Sequence, residues 1–187
     1  MAMRIDPLPE RTMWTIADIE ALPADGNRYE ILHGELLVTP LPSSRHQRLA
    51  AHLSLLVMQW CRANTGWTVL APGGVYISDT TWFEPDLGVY PSPEYDELPW
   101  REMPTPLLVV EILSRSTAKL DRHHKRPAYL AIGVREVWLI DGSTRTIERW
   151  TSASEFPETN SGSIIWTPDA ALPPLVVSEL ELFGPRK

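Results

Sequence analysis

Seven consecutive residues, Leu107 to Leu113, are apolar except for Glu111. Such a run predicts a strand buried on both faces of a sheet, because a strand with one wet face alternates apolar and polar residues. Other elements must then cover both faces of that sheet, which favours helices packed on a central sheet. A charged side chain in such a strand costs several kcal/mol unless it is paired or bound to a metal. Glu111 therefore needs a partner.

Two further segments show helical periodicity. Residues 45–64 place apolar side chains three and four positions apart over more than four turns, and Ser43 or Ser44 can cap this helix. Residues 117–132 form a second predicted helix. Pro127 should kink this second helix, because proline lacks an N–H donor and clashes with the preceding turn.

Strand-like segments account for most of the remaining chain. Residues 28–40 predict a hairpin that turns at His33-Gly34, after a short helix within residues 14–22. Further strands are predicted within residues 67–71, 73–79, 83–91, 106–114, 135–141 and 146–152, with a solvent-facing loop at 91–106 and a last strand with a docked tail in 164–183. This order predicts an α/β fold (α+β, with a mixed central sheet) flanked by helices, with an extra N-terminal hairpin and extra C-terminal strands.

Composition and charge narrow the class of protein. The 187 residues fit one domain, and 43% of them are hydrophobic, which is an ordinary soluble composition. The single cysteine, Cys61, excludes an intramolecular disulfide and a cysteine metal cluster. No segment resembles a membrane helix or a signal peptide, so we expect a cytoplasmic protein. The net charge of -7 counts against a protein that coats nucleic acid, but not against an enzyme that contacts a few phosphates through a metal ion.

Two carboxylates are candidates for a metal site. Asp86 stands at the start of the strand that precedes the Glu111 strand, so neighbouring strands could bring both side chains to one ion. Mg²⁺ prefers oxygen ligands of this kind. The alternative is that both acids lie at strand ends, where they are solvated or paired with an arginine.

A basic cluster follows the Glu111 strand directly. Residues 114–126 contain five Lys or Arg and one Asp. Asp121 and Lys125 are four residues apart and share a helix face, with Tyr129 one turn further on. Asp121 and Lys125 either form an exposed ion pair, or Lys125 points toward the two carboxylates and the cluster attracts phosphate groups.

Three histidines and one glutamate complete the candidates. His123 and His124 are adjacent, so they point in different directions from a helix and do not favour a metal site. His46, at the start of the first long helix, could contact a substrate or have only a structural role at the helix terminus. Glu30 could reach the same cleft from the N-terminal strand, or lie on the surface of an edge strand.

Together these motifs resemble the PD-(D/E)xK nuclease superfamily, and within it a bacterial family described as restriction endonucleases. The resemblance extends over about residues 13–150. The motifs that carry it are residues 29–36, 42–47, 85–87, 110–114, Asp121 with Lys125, Tyr129, Gly133 and 137–141. The resemblance implies a restriction-endonuclease-like core at about residues 28–142, within a single domain over residues 1–187.

The resemblance also implies a set of site residues. Asp86 and Glu111 would bind Mg²⁺, or Mn²⁺ in its place, together with the main-chain carbonyl of Ile112. Lys125 would be the catalytic lysine, which the superfamily usually places two residues after the glutamate and which here stands on the following helix. Glu30 would be an additional catalytic acid. The residues expected to contact substrate are His46, Arg115, Lys119 and Arg122.

The activity implied is hydrolysis of phosphodiester bonds in nucleic acid, DNA rather than RNA, by a homodimer or higher homo-oligomer. The residues themselves leave two alternatives open. Abundant tryptophan and apolar C-terminal strands are also compatible with a non-catalytic binding or assembly protein, since a fold alone does not certify activity. If the acidic loop from Glu94 to Glu102 overhangs the cleft, it would repel long DNA, which favours a small phosphate ester or nucleotide as the substrate.

Overall fold

A computed structural model describes residues 11–23, 25–39, 41–64, 66–91, 98–160 and 162–185. The strands are β1 (Arg28–Leu32), β2 (Glu35–Thr39), β3 (Trp67–Leu70), β4 (Val75–Ser78), β5 (Thr81–Phe83), β6 (Leu87–Pro91), β7 (Leu108–Leu113), β8 (Glu136–Asp141), β9 (Thr146–Thr151), β10 (Glu158–Asn160), β11 (Ser163–Trp166) and β12 (Leu175–Ser178). The helices are α1 (Ile16–Glu20), α2 (Ser44–Ala63), α3 (Ala118–Leu120), α4 (Arg126–Ala131) and α5 (Glu179–Phe183), with a 3₁₀ turn at Trp100–Glu102 and a π-helical turn at Asp121–Lys125. None of these helices is long and apolar enough to cross a membrane. Residues 92–97, which include the first part of the predicted acidic loop, lie outside the described part of the chain.

A six-stranded mixed sheet forms the centre of the structure. Its strand order is β10-β9-β8-β7-β6-β3. β7 and β8 are parallel, and the other neighbouring pairs are antiparallel. The predicted mixed central sheet is therefore confirmed, and the apolar run that contains Glu111 forms one of its inner strands.

Side chains of β7 enter two hydrophobic cores on opposite faces of this sheet. On one face, Leu108 and Val110 join the core formed with α2 and the C-terminal segment. On the other face, Val109 joins a second core with Tyr129 of α4. Glu111 shares the face of Val109, because side chains alternate along a strand. Both faces of β7 are buried, as its sequence predicts.

A second sheet, of order β2-β1-β5-β4, carries the N-terminal hairpin. The hairpin turns at His33 and Gly34, whose φ angles of 51° and 83° are the positive values that a type I′ turn requires. β1 pairs with β2 on one side, and its Ile31 pairs with Trp82 of β5 on the other. The alternative that places Glu30 on the surface of an edge strand is therefore wrong, because β1 is an inner strand of this sheet.

The helical segment after β7 covers the predicted length but is divided into three parts. α3 leads into the π-helical turn, and α4 continues from it to Ala131. The main-chain N–H of Arg126 bonds to the carbonyl of Asp121, five residues earlier, which is the wide spacing of a π turn. The irregularity predicted as a kink at Pro127 thus takes the form of a widened turn just before it. The wider turn accommodates a residue that cannot donate to the carbonyl four residues earlier.

The C-terminal residues cover the core that contains α2. β11 and β12 form an antiparallel hairpin, and α5 follows β12 directly. The sequence predicts one strand with a docked tail, whereas the structure has two strands separated by a turn that contains Pro173 and Pro174. Trp166 of β11 packs against Trp60 and Trp67, at ring-centroid distances of 5.2 and 6.4 Å. The excess of tryptophan therefore serves core packing at this end of the molecule.

We expect Cys61 to react slowly with thiol reagents in the folded protein. Its side chain is buried on the inner face of α2, and burial raises the pKa of the thiol to about 11. At about pH 8 this leaves roughly 100-fold less thiolate than in an exposed cysteine, and the thiolate is the reactive form. The measurement is the rate of reaction with an aromatic disulfide in buffer and in urea. Equal rates in the two solutions would contradict the burial of this thiol.

Candidate functional site

An open cleft of about 850 Å³ lies where β7 ends. It is bounded by β1, by the first turn of α2, by the segment between β7 and α3, and by the turn after β8. The charged and histidine side chains that line it are Arg28, Glu30, Arg45, His46, Asp86, Glu111, Arg115, Asp121, Lys125 and Asp141. The fold therefore brings acids and bases that are distant in sequence to one edge of the central sheet.

Asp86 is held in this cleft by three donors. The main-chain N–H of Ile112 donates to Oδ2 at 2.8 Å, and Nε2 of His46 lies 3.0 Å from the same oxygen. Nη1 of Arg28 donates to Oδ1 at 3.0 Å. Burial alone would raise the pKa of Asp86, but the hydrogen bond from His46 and the charges of His46 and Arg28 hold it below its usual value. Pairing with an arginine, one of the predicted alternatives, is observed here in a buried setting.

Glu111 is buried beside the second core, where it lines the cleft. Its Oε1 accepts hydrogen bonds from Oη of Tyr129 at 2.7 Å and from Nζ of Lys125 at 3.3 Å. Burial raises the pKa of Glu111 well above its usual value; the charge of Lys125 opposes this shift, and the charges of Asp121 and Asp86 add to it. An additional positive charge nearby would therefore stabilise the ionised form of Glu111.

Lys125 lies among three acids and is 2% exposed. Its Nζ is 2.7 Å from Oε1 of Glu30, 3.3 Å from Oε1 of Glu111 and 3.7 Å from Oδ1 of Asp121. Burial would lower the pKa of this amine, but the three carboxylates raise it well above its usual value. The alternative of an exposed ion pair between Asp121 and Lys125 is wrong, because the helix face that they share is packed inward.

Glu30 and Asp121 are the other two acids around Lys125. The main-chain N–H of Glu84 donates to Oε1 of Glu30 at 2.8 Å, so this oxygen is bound by both Glu84 and Lys125. Oδ1 of Asp121 has no hydrogen bond to any described residue. Burial, only partly opposed by the charge of Lys125, raises the pKa of Asp121 to about 6. The sequence indicates Asp121 only as a partner of Lys125, since no local pattern shows that this helix face is buried.

Arg28 is a site residue that the sequence motifs did not indicate. Besides Asp86, its guanidinium approaches Glu84, with Nε 3.8 Å from Oε2. Arg28 also lines a second cavity of about 400 Å³, which shares His46 and Asp86 with the cleft. The signal that could have found Arg28 is strand alternation, which places it on the same face of β1 as Glu30, two residues later.

The basic cluster faces the cleft only in part. Arg115 is exposed and lines the cleft, and so does the start of α3. Lys119 is exposed but does not line it. Arg122 does not line it either, because its Nε and Nη2 donate to Oε1 of Glu148 at 2.9 and 2.6 Å. The structure thus brings His46 and Arg115 to the cleft, but not Lys119 and Arg122, since the inward face of this helical segment is occupied by other residues.

The donor groups of the cleft have a chemistry that fits a divalent cation. Its buried carboxylates are those of Glu30, Asp86, Glu111 and Asp121, and the bases paired with them are Arg28 and Lys125. When all are ionised the acids are in excess, which favours an additional cation with a preference for oxygen ligands. No three Asp, Glu, His or Cys side chains within the described ranges are grouped as a metal cage. The predicted ligand set needs only two carboxylates, Asp86 and Glu111, with the Ile112 carbonyl, and all three residues line the cleft.

Comparisons with known proteins agree with this fold. The chain is similar to a solved structure described as a "putative nuclease belonging to DUF820" from Anabaena variabilis, with a TM-score of 0.71 and 17% sequence identity. The superposition covers 90% of this chain and 97% of that chain. At this identity the similarity shows the fold alone. No curated protein matches the chain.

The family comparison extends over most of the sequence. The model of the Uma2 family, described as "Putative restriction endonuclease", matches residues 16–180. This match includes the four buried acids of the cleft and the whole central sheet. The resemblance indicated by the motifs is therefore confirmed, and the chain belongs to the Uma2 family.

Proposed function

We propose that this protein is a metal-dependent endonuclease that hydrolyses phosphodiester bonds in DNA. The observation that carries this proposal is the position of Lys125, whose buried ammonium lies between Glu30 and Glu111 in the lining of an open cleft. Such an arrangement adds little to the stability of the fold, because the desolvation of each buried charge offsets the attraction between them. Perturbed acids and bases gathered in a cleft are typical of catalytic sites instead. The family description supports the same activity.

Asp86, Glu111 and the carbonyl of Ile112 would hold Mg²⁺, or Mn²⁺ in its place. When bound, the cation supplies positive charge that polarises a phosphate oxygen and makes a water molecule more acidic. Asp86 suits this role because it is ionised and is fixed by Ile112 and His46. Glu111 suits it because the hydrogen bond from Tyr129 orients its carboxylate.

Lys125 would act on the phosphate itself. An ammonium has three N–H donors, and Glu30 and Glu111 accept two of them. The third can donate to a phosphate oxygen and stabilise the negative charge that develops there during hydrolysis. Glu30 keeps the ammonium in position, since the Glu84 main chain holds the oxygen that Lys125 contacts.

The rim of the cleft provides groups for a nucleic-acid backbone. α2 begins at this rim, and the N–H groups and dipole of its first turn favour an anion. Ser43 caps the helix by accepting from the main-chain N–H of His46 at 3.3 Å, and Arg45 and Arg115 also line the cleft. Backbone contacts of this kind position a polymer without reading its sequence. A polymeric substrate could contact more of these rim groups than a small phosphate ester could.

The test is cleavage of supercoiled plasmid by the purified protein with Mg²⁺ or Mn²⁺. Glu111→Gln is expected to lower the rate at least about 100-fold, because a neutral amide is a weak ligand for a divalent cation. The variant should still fold, since glutamine can accept the hydrogen bond from Tyr129 and removes a charge that burial disfavours. Asp86→Asn should have a similar effect on the rate.

Glu136→Gln is the matched control for this experiment. Glu136 is a buried glutamate on the neighbouring strand β8, where it is bound by Trp138 and Arg149 rather than by cleft residues. Its variant should cleave at the rate of the unmodified protein, at a temperature where both are folded. If Glu111→Gln and Asp86→Asn cleave as fast as this control, the activity does not come from the cleft and the proposal fails.

A further inference from the structure

The two oxygens of Asp86 have partners of different kinds. Oδ2 is bound by the main chain of Ile112 at 2.8 Å and lies 3.0 Å from Nε2 of His46. Ile112 belongs to the central sheet and His46 to the first turn of the longest helix, so both are fixed by the fold. Oδ1 is bound by Nη1 of Arg28 at 3.0 Å. Arg28 is a long side chain that is 22% exposed, so Oδ1 is the oxygen that can change its partner.

We propose that Arg28 and the metal cation exchange places on Oδ1 of Asp86, and that the released guanidinium then binds a phosphate of the nucleic acid. This inference rests on the proposed function, because it takes Asp86 as a metal ligand. The exchange follows from electrostatics, since a guanidinium and a divalent cation on the same oxygen would lie within a few ångströms of each other and repel strongly. Arg28 is therefore a competitor of the cation in the free protein.

The surroundings of Arg28 provide a place for the released side chain. Its Nε is 3.8 Å from Oε2 of Glu84, so the guanidinium can pivot about this second acid instead of moving into open solvent. Arg28 lines both the cleft and the adjoining cavity of about 400 Å³. Its planar fork of donors matches two oxygens of a phosphate group. A phosphate at the boundary of the two cavities would thus replace Asp86 as the partner of Arg28.

The exchange couples the binding of metal to the binding of nucleic acid. The cation releases the arginine that binds phosphate, and the phosphate engages the arginine that competes with the cation. Each ligand should therefore increase the affinity of the other by the same factor. Without nucleic acid, Arg28 keeps the affinity for the cation low.

The test is Mn²⁺ binding, measured by isothermal titration calorimetry on Arg28→Met and on the unmodified protein. Arg28→Met is expected to bind Mn²⁺ about 3- to 10-fold more tightly, because a partly exposed competing cation has been removed. The same variant should bind a short phosphorothioate duplex, which resists cleavage, about 10-fold more weakly in Mn²⁺. Arg145→Met is the control, since it removes an arginine from an ion pair with Glu179 and should change neither affinity.

Opposite or absent effects would overturn the exchange. If Arg28 only supported Asp86 structurally, Arg28→Met would bind Mn²⁺ more weakly; equal affinities would also reject the proposal. The rise in Tm on adding Mn²⁺ is a second measurement, and it should be larger in Arg28→Met even if that variant is less stable in EDTA. Asp86→Asn separates a failure of the proposed metal site from a failure of the exchange alone. If it leaves the Mn²⁺ affinity unchanged, the proposed metal site is wrong and the exchange with it; if Asp86→Asn and Arg28→Met both weaken binding, the exchange alone is wrong.

Discussion

Replacing Lys125 with methionine is expected to lower the free energy of unfolding by about 3–5 kcal/mol and to reduce the proposed DNA cleavage at least about 1,000-fold. The ammonium is the one cation within ion-pair distance of Glu30, Glu111 and Asp121 among the described residues. Its removal leaves three buried acids without a positive partner. The acids would respond by binding protons, which keeps the loss to several kcal/mol and removes the charges on which the site depends.

A double variant separates the effect of charge from that of packing. Lys125→Met combined with Glu111→Gln removes one of the stranded acids, so it should recover about 1–2 kcal/mol of the stability lost in Lys125→Met alone. It should recover none of the activity, because both groups are needed in the proposed mechanism. Urea unfolding followed by tryptophan fluorescence measures the first quantity, and plasmid cleavage measures the second.

Arg145→Met provides the comparison for Lys125→Met. Arg145 is a partly exposed cation whose Nε donates to Glu179 at 2.8 Å outside the cleft. Its loss should cost less, about 1–2 kcal/mol, because Arg145 also donates to the Gly184 carbonyl and lies over the Phe183 ring but leaves only one partly exposed acid unpaired, and cleavage should persist. A Lys125→Met protein as stable as Arg145→Met would show that the acids of the cleft do not need this cation. A fully active Lys125→Met protein would show that cleavage does not require Lys125.

The juxtaposition of Asp86 and Glu111 could be predicted from the sequence because both signals are local. Glu111 interrupts an apolar strand, and an interruption of that kind has few structural explanations. Asp86 begins the preceding strand, and consecutive strands are commonly neighbours in a sheet. The antiparallel pairing of β6 with β7 brings the two acids to one edge, as expected.

The environment of Glu30 and Arg28 could not be predicted in the same way. It depends on the pairing of β1 with β5, which joins Ile31 to Trp82 across a long stretch of sequence. No local pattern distinguishes an edge strand from an inner strand when the pairing partner is distant. The sequence alone is equally compatible with Glu30 on the surface of an edge strand, and only tertiary contact excludes that position.

The basic cluster shows a second limit of sequence reasoning. A group of Lys and Arg indicates a positive region, but it does not show which of these side chains face a cleft. Lys125 of the π-helical turn is buried and its Nζ contacts Glu111 of β7, whereas Arg122 in the same turn reaches Glu148 on β9. The width of that turn, associated with Pro127, is a feature that helical periodicity does not contain.

Replacing Trp166 with alanine is expected to lower the free energy of unfolding by about 3–5 kcal/mol, the usual loss for a large aromatic side chain in a core. Trp166 is 2% exposed and packs against Trp60 of α2, whose indole Nε1 donates to the carbonyl of Pro173 at 2.9 Å. The substitution therefore opens a cavity where the C-terminal hairpin meets α2. Surrounding side chains are themselves large and ring-shaped, so the cavity can close only in part.

Ile165→Ala is the matched control for Trp166→Ala, because Ile165 is the preceding residue on the same strand, points to the opposite face and is 53% exposed. Its free energy of unfolding should change by less than about 0.5 kcal/mol. The Trp166→Ala protein should cleave DNA at the normal rate at a temperature where it remains folded, since the residues of the cleft are untouched. Equal stability of the two variants would show that the hairpin does not seal this core. Lost cleavage in a folded Trp166→Ala protein would show instead that the hairpin holds α2, and with it His46, in the position that the site requires.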